Sequence, residues 1–399
     1  MNNLPGDGRA YRLTSIDLLR GLVIIIMALD HVRDYFMMGA AQNPMHDPNV
    51  SVALYFTRWV THFCAPVFVL LAGTSAGLMT ARKTPTELGG FLLRRGVWLI
   101  LIEWFVISTG FTFAPLGHVA FGGMVLVPLQ VIWAIGASLV VLAGAQFLGR
   151  RACLAIGAAI ILGHNLLDPV WPHVDGFAAA PLWVSLHAQM AYPVPPFMFY
   201  NAYPVLPWIG VMLLGFGIAP IFERAPAERD AVLLRAGLAV VAAFVLLRFS
   251  NLYGDPRPWL VQAAGPVRTL LDFLNVEKYP PSLLYLLATL GPAAIFLAFA
   301  DRIGGTVRTV LVTFGRVPFV FYVVHFYLIH SLAVGLGVLQ GFQASQFLAL
   351  AEMFPKPGYG LPLLGVYLVW IGVVASLYPL CRWMMGVKAR RRNWWLSYL

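Results

Sequence analysis

An apolar stretch near the start of the chain ends in a group of ionisable residues. Residues 20–36 read RGLVIIIMALDHVRDYF, and the last third carries Asp30, His31, Arg33 and Asp34. Charged side chains at membrane depth are costly and usually face a cavity or a partner. Histidine titrates near neutral pH and is therefore suited to proton transfer. The pattern predicts a functional site around His31.

The spacing of Arg20 and His31 places both side chains on one face of a helix. Eleven residues are about three turns, or about 16 Å along the axis. An arginine at one end of this stripe and a histidine near the other would suit a ligand with phosphates at one end and a long arm at the other. We therefore expect Arg20 to bind such a ligand.

A second segment, RWVTHFCAPVF, brings further polar groups to a similar depth. Arg58 and His62 are four residues apart, so they share one helix face. Within the first segment, Asp30 and Arg33 are three apart and can pair. We expect Asp30, His31, Arg58 and His62 to line one cavity.

Other polar residues occur inside apolar runs. His325 and His330 lie in GRVPFVFYVVHFYLIH, Glu103 lies in LILIEWF, and His164 ends a short apolar run. Such a histidine often only hydrogen-bonds a neighbouring helix, and we favour that interpretation for His330 and His164. Glu103 is equally compatible with a buried pair and a function. No metal is expected, because nothing resembles the HExxH ligand pattern.

The composition is that of a membrane protein. The 399 residues are 60% hydrophobic and 11% charged, with a mean hydropathy of +0.77. We predict an all-α polytopic transmembrane bundle that forms one domain over residues 1–399. The formal charge of +10 does not indicate nucleic acid, because the basic residues lie in short loops between apolar runs. Three cysteines without a C-x-x-C pair predict neither a disulfide framework nor a thiolate metal site.

Ten membrane spans are predicted, with a short interfacial helix at residues 267–275 in one long loop. The spans are 15–37, 53–80, 91–112, 124–147, 152–167, 203–222, 231–249, 281–300, 317–338 and 362–386. Most of the 27 lysines and arginines fall on one side of these spans; the exceptions are Arg33, Arg58, Arg248, Arg257, Arg268, Lys278 and Lys356. The positive-inside rule then places the N-terminal residues 1–13 and the basic tail 387–399 in the cytoplasm.

Five segments together resemble a known family. They are SIDLLRGLVIIIMALDHVRDYF, TRWVTHFCAPVFVLLAGTSA, YPVLPWIGVMLLGFG, KYPPSLLYLLATLGP and GRVPFVFYVVHFYLIH. The chain resembles the bacterial membrane family related to the catalytic domain of heparan-alpha-glucosaminide N-acetyltransferase, and more widely the transmembrane acyltransferases. Many of those carry an arginine in the first helix and a catalytic histidine eleven residues later, as Arg20 and His31 do.

The resemblance implies acyl transfer across the inner (plasma) membrane. The donor would be cytoplasmic acyl-CoA, most simply acetyl-CoA, bound in part by Arg20. His31 would be the general base, with its tautomer or charge set by Asp30, and His62 a second catalytic candidate. Arg58 and His62 would bind the acceptor or stabilise the oxyanion, and Arg33, His325 and Tyr203 would also contact the acceptor. The acceptor would be a hydroxyl or amine of a glycan or lipid-linked sugar on the outer side. A homodimer is also considered.

Two other interpretations remain open. A proton-coupled transporter would use Asp30, Glu103, His62 and His325 as a relay. The lack of internal repeats and of paired broken helices counts weakly against it. A non-catalytic scaffold would leave the buried ionisable groups unexplained.

The predicted topology can be tested with reporter fusions. A phosphatase that is active only outside the cytoplasm should be inactive when fused after Leu399, because the basic tail is expected inside. The same reporter inserted after Gly265, in the loop between the seventh and eighth spans, should be active. Activity at Leu399 would contradict the topology.

Overall fold

The computed structural model describes residues 13–39, 44–170, 185–348, 357–391, 393 and 396. Helices dominate this part of the chain. In order they are α1 Thr14–Phe36, α2 Val52–Trp59, α3 Cys64–Met79, α4 Pro85–Ile102, α5 Ser108–Thr112, α6 Val131–Ala145, α7 Arg150–Gly163, α8 Val205–Ile218, α9 Pro226–Ser250, α10 Pro266–Leu274, α11 Leu283–Phe299, α12 Gly305–Arg316, α13 Pro318–Leu339 and α14 Leu363–Arg390.

The predicted all-α polytopic bundle is confirmed. Among the described residues, eight helical runs are long and apolar enough to cross a membrane. The other two predicted spans correspond to α1 and to the continuous helical run 85–112, which are of spanning length and carry more charges. Helix α10 occupies the place of the predicted interfacial helix. The chain is a multi-pass membrane protein.

Two ends of the bundle are distinguished by their side chains. The basic end is where α1 begins and α14 ends, and it carries Arg20, Arg95, Arg316 and Lys388. The loop end, opposite, carries α10 and a small sheet. Because successive spans are antiparallel, all connections alternate between these two ends.

The small sheet corrects one predicted boundary. Strand β1 (Val125–Leu129) pairs in parallel with β3 (Phe197–Asn201), which pairs antiparallel with β2 (Met190–Val194). Residues 124–130 were predicted to begin the fourth span, but that helix starts at Val131. A short apolar run of β-branched residues has the same hydropathy as a buried helix, so hydropathy alone does not separate the two.

The second span is broken, and a proline explains the break. A 3₁₀ turn, Val60–Phe63, joins α2 to α3. Pro66 lacks the backbone N–H that would bond to the carbonyl of His62 four residues earlier. That carbonyl instead accepts a 2.8 Å hydrogen bond from the Tyr285 hydroxyl of α11. The break thereby ties the second span to α11 beside His62.

Glu103 has a structural role in this fold. It begins a single π-helical turn, Glu103–Ile107, between α4 and α5. The buried carboxylate accepts hydrogen bonds from the backbone N–H groups of Trp133 (3.0 Å) and Gln130 (3.4 Å). A carboxylate at a helix N-terminus stabilises it by satisfying otherwise unpaired N–H groups. Glu103 therefore caps α6.

Helix α12, which was predicted only as a connection, packs closely on α1. A Cβ atom added at Gly315 would lie 1.8 Å from the backbone oxygen of Asp17, and one at Gly21 would lie 1.9 Å from that of Leu311. Small residues allow two helix backbones to approach this closely. The two glycines thus set the position of α12 at the basic end.

Substitution of Gly315 tests this packing. Gly315→Ala should lower stability by at least about 1–3 kcal/mol, because the methyl group meets backbone rather than a movable side chain. Gly372→Ala in α14, where nothing lies within 4 Å, should be neutral or slightly stabilising. Thermal unfolding in detergent measures both. Equal melting temperatures for the two variants would contradict the close contact.

Candidate active site

A cavity of about 350 Å³ opens at the basic end of the bundle. Its walls come from α1, α3, α4, α6 and α13, and they are mainly apolar, as Ile24, Phe68 and Leu139 illustrate. Four cationic residues line it: Arg20, Arg95, Arg316 and Lys388. Such a cavity suits an elongated ligand that has anionic groups at one end and an apolar portion at the other.

Arg20, on α1, lines this cavity. It donates a 3.2 Å hydrogen bond to the Ser75 hydroxyl and lies 3.5 Å from the buried Asp17 carboxylate. Arg316 lies 3.5 Å from the same carboxylate. Asp17 thus holds two of the cavity cations in place. Sequence reasoning counted Arg316 only as a loop charge, because its position beside Arg20 depends on how α12 packs.

Tyr322 marks the inner end of the cavity and was missed by sequence reasoning. Its side chain is buried, and its hydroxyl has no hydrogen-bond partner among the described residues. One turn further along α13, the His325 ring centroid lies 5.5 Å from that of Tyr322. The free hydroxyl is therefore available to a molecule in the cavity. No sequence signal distinguished this tyrosine from the other 14.

The two histidines nearest this point contact each other. His31 Nδ1 lies 2.7 Å from His325 Nε2. His325 Nδ1 lies against the backbone carbonyls of Tyr322 and Phe321, which can only accept hydrogen bonds. His325 Nδ1 must therefore carry a proton, and in a neutral pair Nε2 accepts from His31 Nδ1. This assignment leaves His31 Nε2 unprotonated and basic.

The ring of His31 is thus oriented by His325, whereas Asp30, expected to set the tautomer or the charge of His31, makes no hydrogen bond to it among the described contacts. Adjacent residues of a helix point in different directions, and the Asp30 carboxylate is engaged elsewhere. Arg58 Nη1 donates to its two oxygens at 3.0 and 2.8 Å, and Arg33 Nη2 lies 2.9 Å away. Asp30 acts on His31 through its charge.

The other expected site residues lie around this ion pair at the loop-end side of His31. His62 is buried and interacts electrostatically with Arg58, Lys278, Asp30 and Arg33, as His31 does. Tyr203 packs 5.4 Å from the Tyr279 ring. The structure thus brings together the polar groups of the first two spans. It adds Lys278, which sequence reasoning counted only as a loop charge.

Two histidines lie outside this group. The His330 nitrogens lie 3.1 and 2.7 Å from the carbonyls of Gly110 and Phe347. The His164 ring lies 5.4 Å from that of His187, which contacts the Asp168 carboxylate at 2.8 Å. Burial raises the pKa of Asp168, but hydrogen bonds from His187 and Asn165 outweigh it and lower that pKa overall. Across the described ranges, no three His, Cys, Asp or Glu side chains are grouped as metal ligands.

The buried ion pair predicts a large effect of removing Asp30. Asp30→Asn should destabilise the protein by about 3–5 kcal/mol, because Arg58 would be left buried without a counter-charge and Arg33 would keep only Asp34. Glu228→Gln, which breaks the exposed Arg224–Glu228 pair, is the control and should leave stability nearly unchanged. Melting temperatures of both variants in detergent provide the comparison, and similar small shifts would refute the structural role of Asp30.

Comparison with known proteins identifies the family. The family model described as heparan-alpha-glucosaminide N-acetyltransferase, catalytic, matches residues 12–249, which is more than half of the chain. No protein of curated function matches the chain. The matched region includes Arg20, His31, Arg58 and His62. The chain therefore belongs to the heparan-alpha-glucosaminide N-acetyltransferase catalytic family and is an acyltransferase-type membrane enzyme.

Proposed function

We propose that the protein transfers an acyl group, most simply acetyl, from cytoplasmic acyl-CoA to an acceptor on a glycan or lipid-linked sugar outside the inner membrane. The observation that carries the proposal is the cavity, which leads from four cations to Tyr322 beside the His325–His31 pair. Among the described residues, Tyr322 lines the cavity together with the four cations, and its ring packs against that of His325, which contacts His31.

The basic end of the bundle would bind the donor from the cytoplasm. Its concentration of lysine and arginine favours the cytoplasmic side. Arg20, Arg95, Arg316 and Lys388 would contact the phosphates of the CoA moiety, for which clustered cations are well suited. The apolar wall would hold the pantetheine arm and direct the thioester inward. The unpartnered Tyr322 hydroxyl would then donate a hydrogen bond to the thioester carbonyl.

His31 would act as general base. Its Nε2 would accept the proton of the acceptor hydroxyl or amine as that group attacks the thioester carbon. The new bond to the acyl carbon forms as the C–S bond breaks, and the proton passes from His31 to the departing thiolate. His325 keeps the His31 ring in the required tautomer, much as a carboxylate orients the base of a catalytic triad.

The polar cluster around Asp30 would form the acceptor side. It lies towards the loop end, beyond His31 as seen from the cavity. Arg58, Arg33, His62 and Tyr203 would contact the acceptor there. A transport relay through Glu103 is less well supported, because this carboxylate caps α6.

The proposal is tested by steady-state transfer with labelled acetyl-CoA. His31→Ala should lower kcat about 10²–10⁴-fold, the usual contribution of a general base. Arg20→Ala should mainly raise the KM for acetyl-CoA, because a contact far from the reacting carbon supplies uniform binding. His330→Gln is the matched histidine control and should retain activity. All variants should elute normally in gel filtration. Wild-type turnover in His31→Ala would refute the assigned base.

A further inference from the structure

We propose that the acceptor carries an anionic group, a carboxylate or a phosphate, beside a hydroxyl that receives the acyl group, and that Arg33, Arg58 and Lys278 select it. The inference rests on the proposed acyl transfer and narrows its acceptor class. It replaces the broader choice of hydroxyl or amine with an acidic sugar or an anionic lipid headgroup.

First, the cluster of Arg33, Arg58 and Lys278 with its facing carboxylates, here called the acceptor cluster, has an excess of positive charge. Arg33, Arg58 and Lys278 are each less than 10% exposed, and all three act electrostatically on His31. The carboxylates that face them are Asp30 and Asp34, so three cations face two carboxylates. A buried site with an excess of positive charge favours an anion and disfavours an ammonium group.

Second, several guanidinium N–H groups in this cluster have no hydrogen-bond acceptor among the described residues. Arg33 uses Nη2 for both Asp30 and Asp34, while its Nε and Nη1 have no partner among the described residues. Arg58 Nε is also buried without an acceptor. A buried guanidinium donor without an acceptor is costly, so these groups point to a ligand rich in oxygen atoms.

Lys278 gives the third reason. Its side chain is only 7% exposed, and no described carboxylate forms an ion pair with it. The ammonium lies 5.0 Å from the centre of the Tyr279 ring. Burial alone would raise the pKa of the Tyr279 hydroxyl, but Lys278 and Arg58 outweigh burial and lower it. The electrostatic potential at this hydroxyl is therefore positive, and it would also stabilise a ligand anion placed there.

A second cavity lies at the loop end of the bundle, next to α2. It has a volume of about 350 Å³, and Arg257 and Arg268 lie in its lining with Asp47 and Asp272. His46 also lines this cavity. Burial and the nearby Arg257 lower the pKa of His46 and so favour its neutral form. The positive charge of the cavity therefore comes from the arginines.

The second cavity adjoins the cluster through α2. Tyr55 lines the cavity, and Arg58 follows one turn later on the same helix. Cationic clefts of this kind raise the local concentration of anions. An anionic acceptor drawn to this cavity would therefore be concentrated beside the helix that carries Arg58.

The test compares acceptors that differ in charge. CoA release from acetyl-CoA is measured with methyl glucuronide, glucose 6-phosphate, methyl glucoside and methyl glucosaminide. Phosphatidylglycerol added to the micelle distinguishes a lipid headgroup from a soluble anion. The anionic acceptors should show the lowest KM, and the aminosugar the highest. Equal use of neutral and anionic acceptors, or preference for the aminosugar, would overturn the proposal.

Variants of Lys278 separate selection from folding. Lys278→Gln should raise the KM for the preferred anionic acceptor roughly tenfold or more, the size of one charge-assisted hydrogen bond. The KM for methyl glucoside should change less than about twofold, because a neutral sugar gains little from the ammonium. Lys278→Arg should retain the preference. Lys83→Gln, the same change at the basic end, is the control. An equal loss with both acceptors would indicate a purely structural lysine and overturn the assignment.

Failure of the proposed reaction is distinguishable from failure of this inference. If no acceptor causes CoA release, binding of the same probes is measured by thermal shift. Methyl glucuronide or glucose 6-phosphate should still raise the melting temperature of the wild type, and not that of Lys278→Gln. No stabilisation by any anionic probe, with or without turnover, would overturn the anion site.

Discussion

One largely buried carboxylate organises the loop-end side of the candidate site. Asp30 on α1 accepts hydrogen bonds from Arg58 on α2 and pairs with Arg33 one turn along its own helix. Ion pairs in a low-dielectric interior are favourable only when the geometry satisfies both partners, and removal of one leaves an uncompensated charge. The position of α2 relative to α1 therefore depends on this contact. The 3₁₀ turn that follows α2, and hence His62, is placed by the same constraint.

The histidine pair depends on a different kind of restraint. His325 has its Nδ1 proton held by carbonyls of its own helix, so it can only accept from His31. This contact therefore needs no charge on either ring, although Arg33, Arg58 and Lys278 lie close to His31. The cations of the basic-end cavity and the cations around Asp30 lie towards opposite ends of the bundle.

Hydropathy was sufficient to locate the spans, because a helix in lipid must satisfy its own backbone and needs about 20 apolar residues. It failed at residues 125–129, where a strand of equal hydropathy precedes α6. It also did not reveal α12, which is too short to span a membrane and is held by the glycine contacts with α1. The function of Glu103 was left undecided because its partners are backbone N–H groups 27 and 30 residues away.

Contacts within a single helix can be predicted from the sequence. The stripe of Arg20 and His31 follows from helical periodicity alone, and the pairing of Asp30 with Arg33 follows from their three-residue spacing. Contacts between different helices cannot be predicted from spacing in this way. His31 and His325 are 294 residues apart, and Lys278 reaches the cluster from the loop before α11. Local spacing is set by the repeat of the helix, whereas the choice of partner depends on how all the spans pack, so only the tertiary structure decides it.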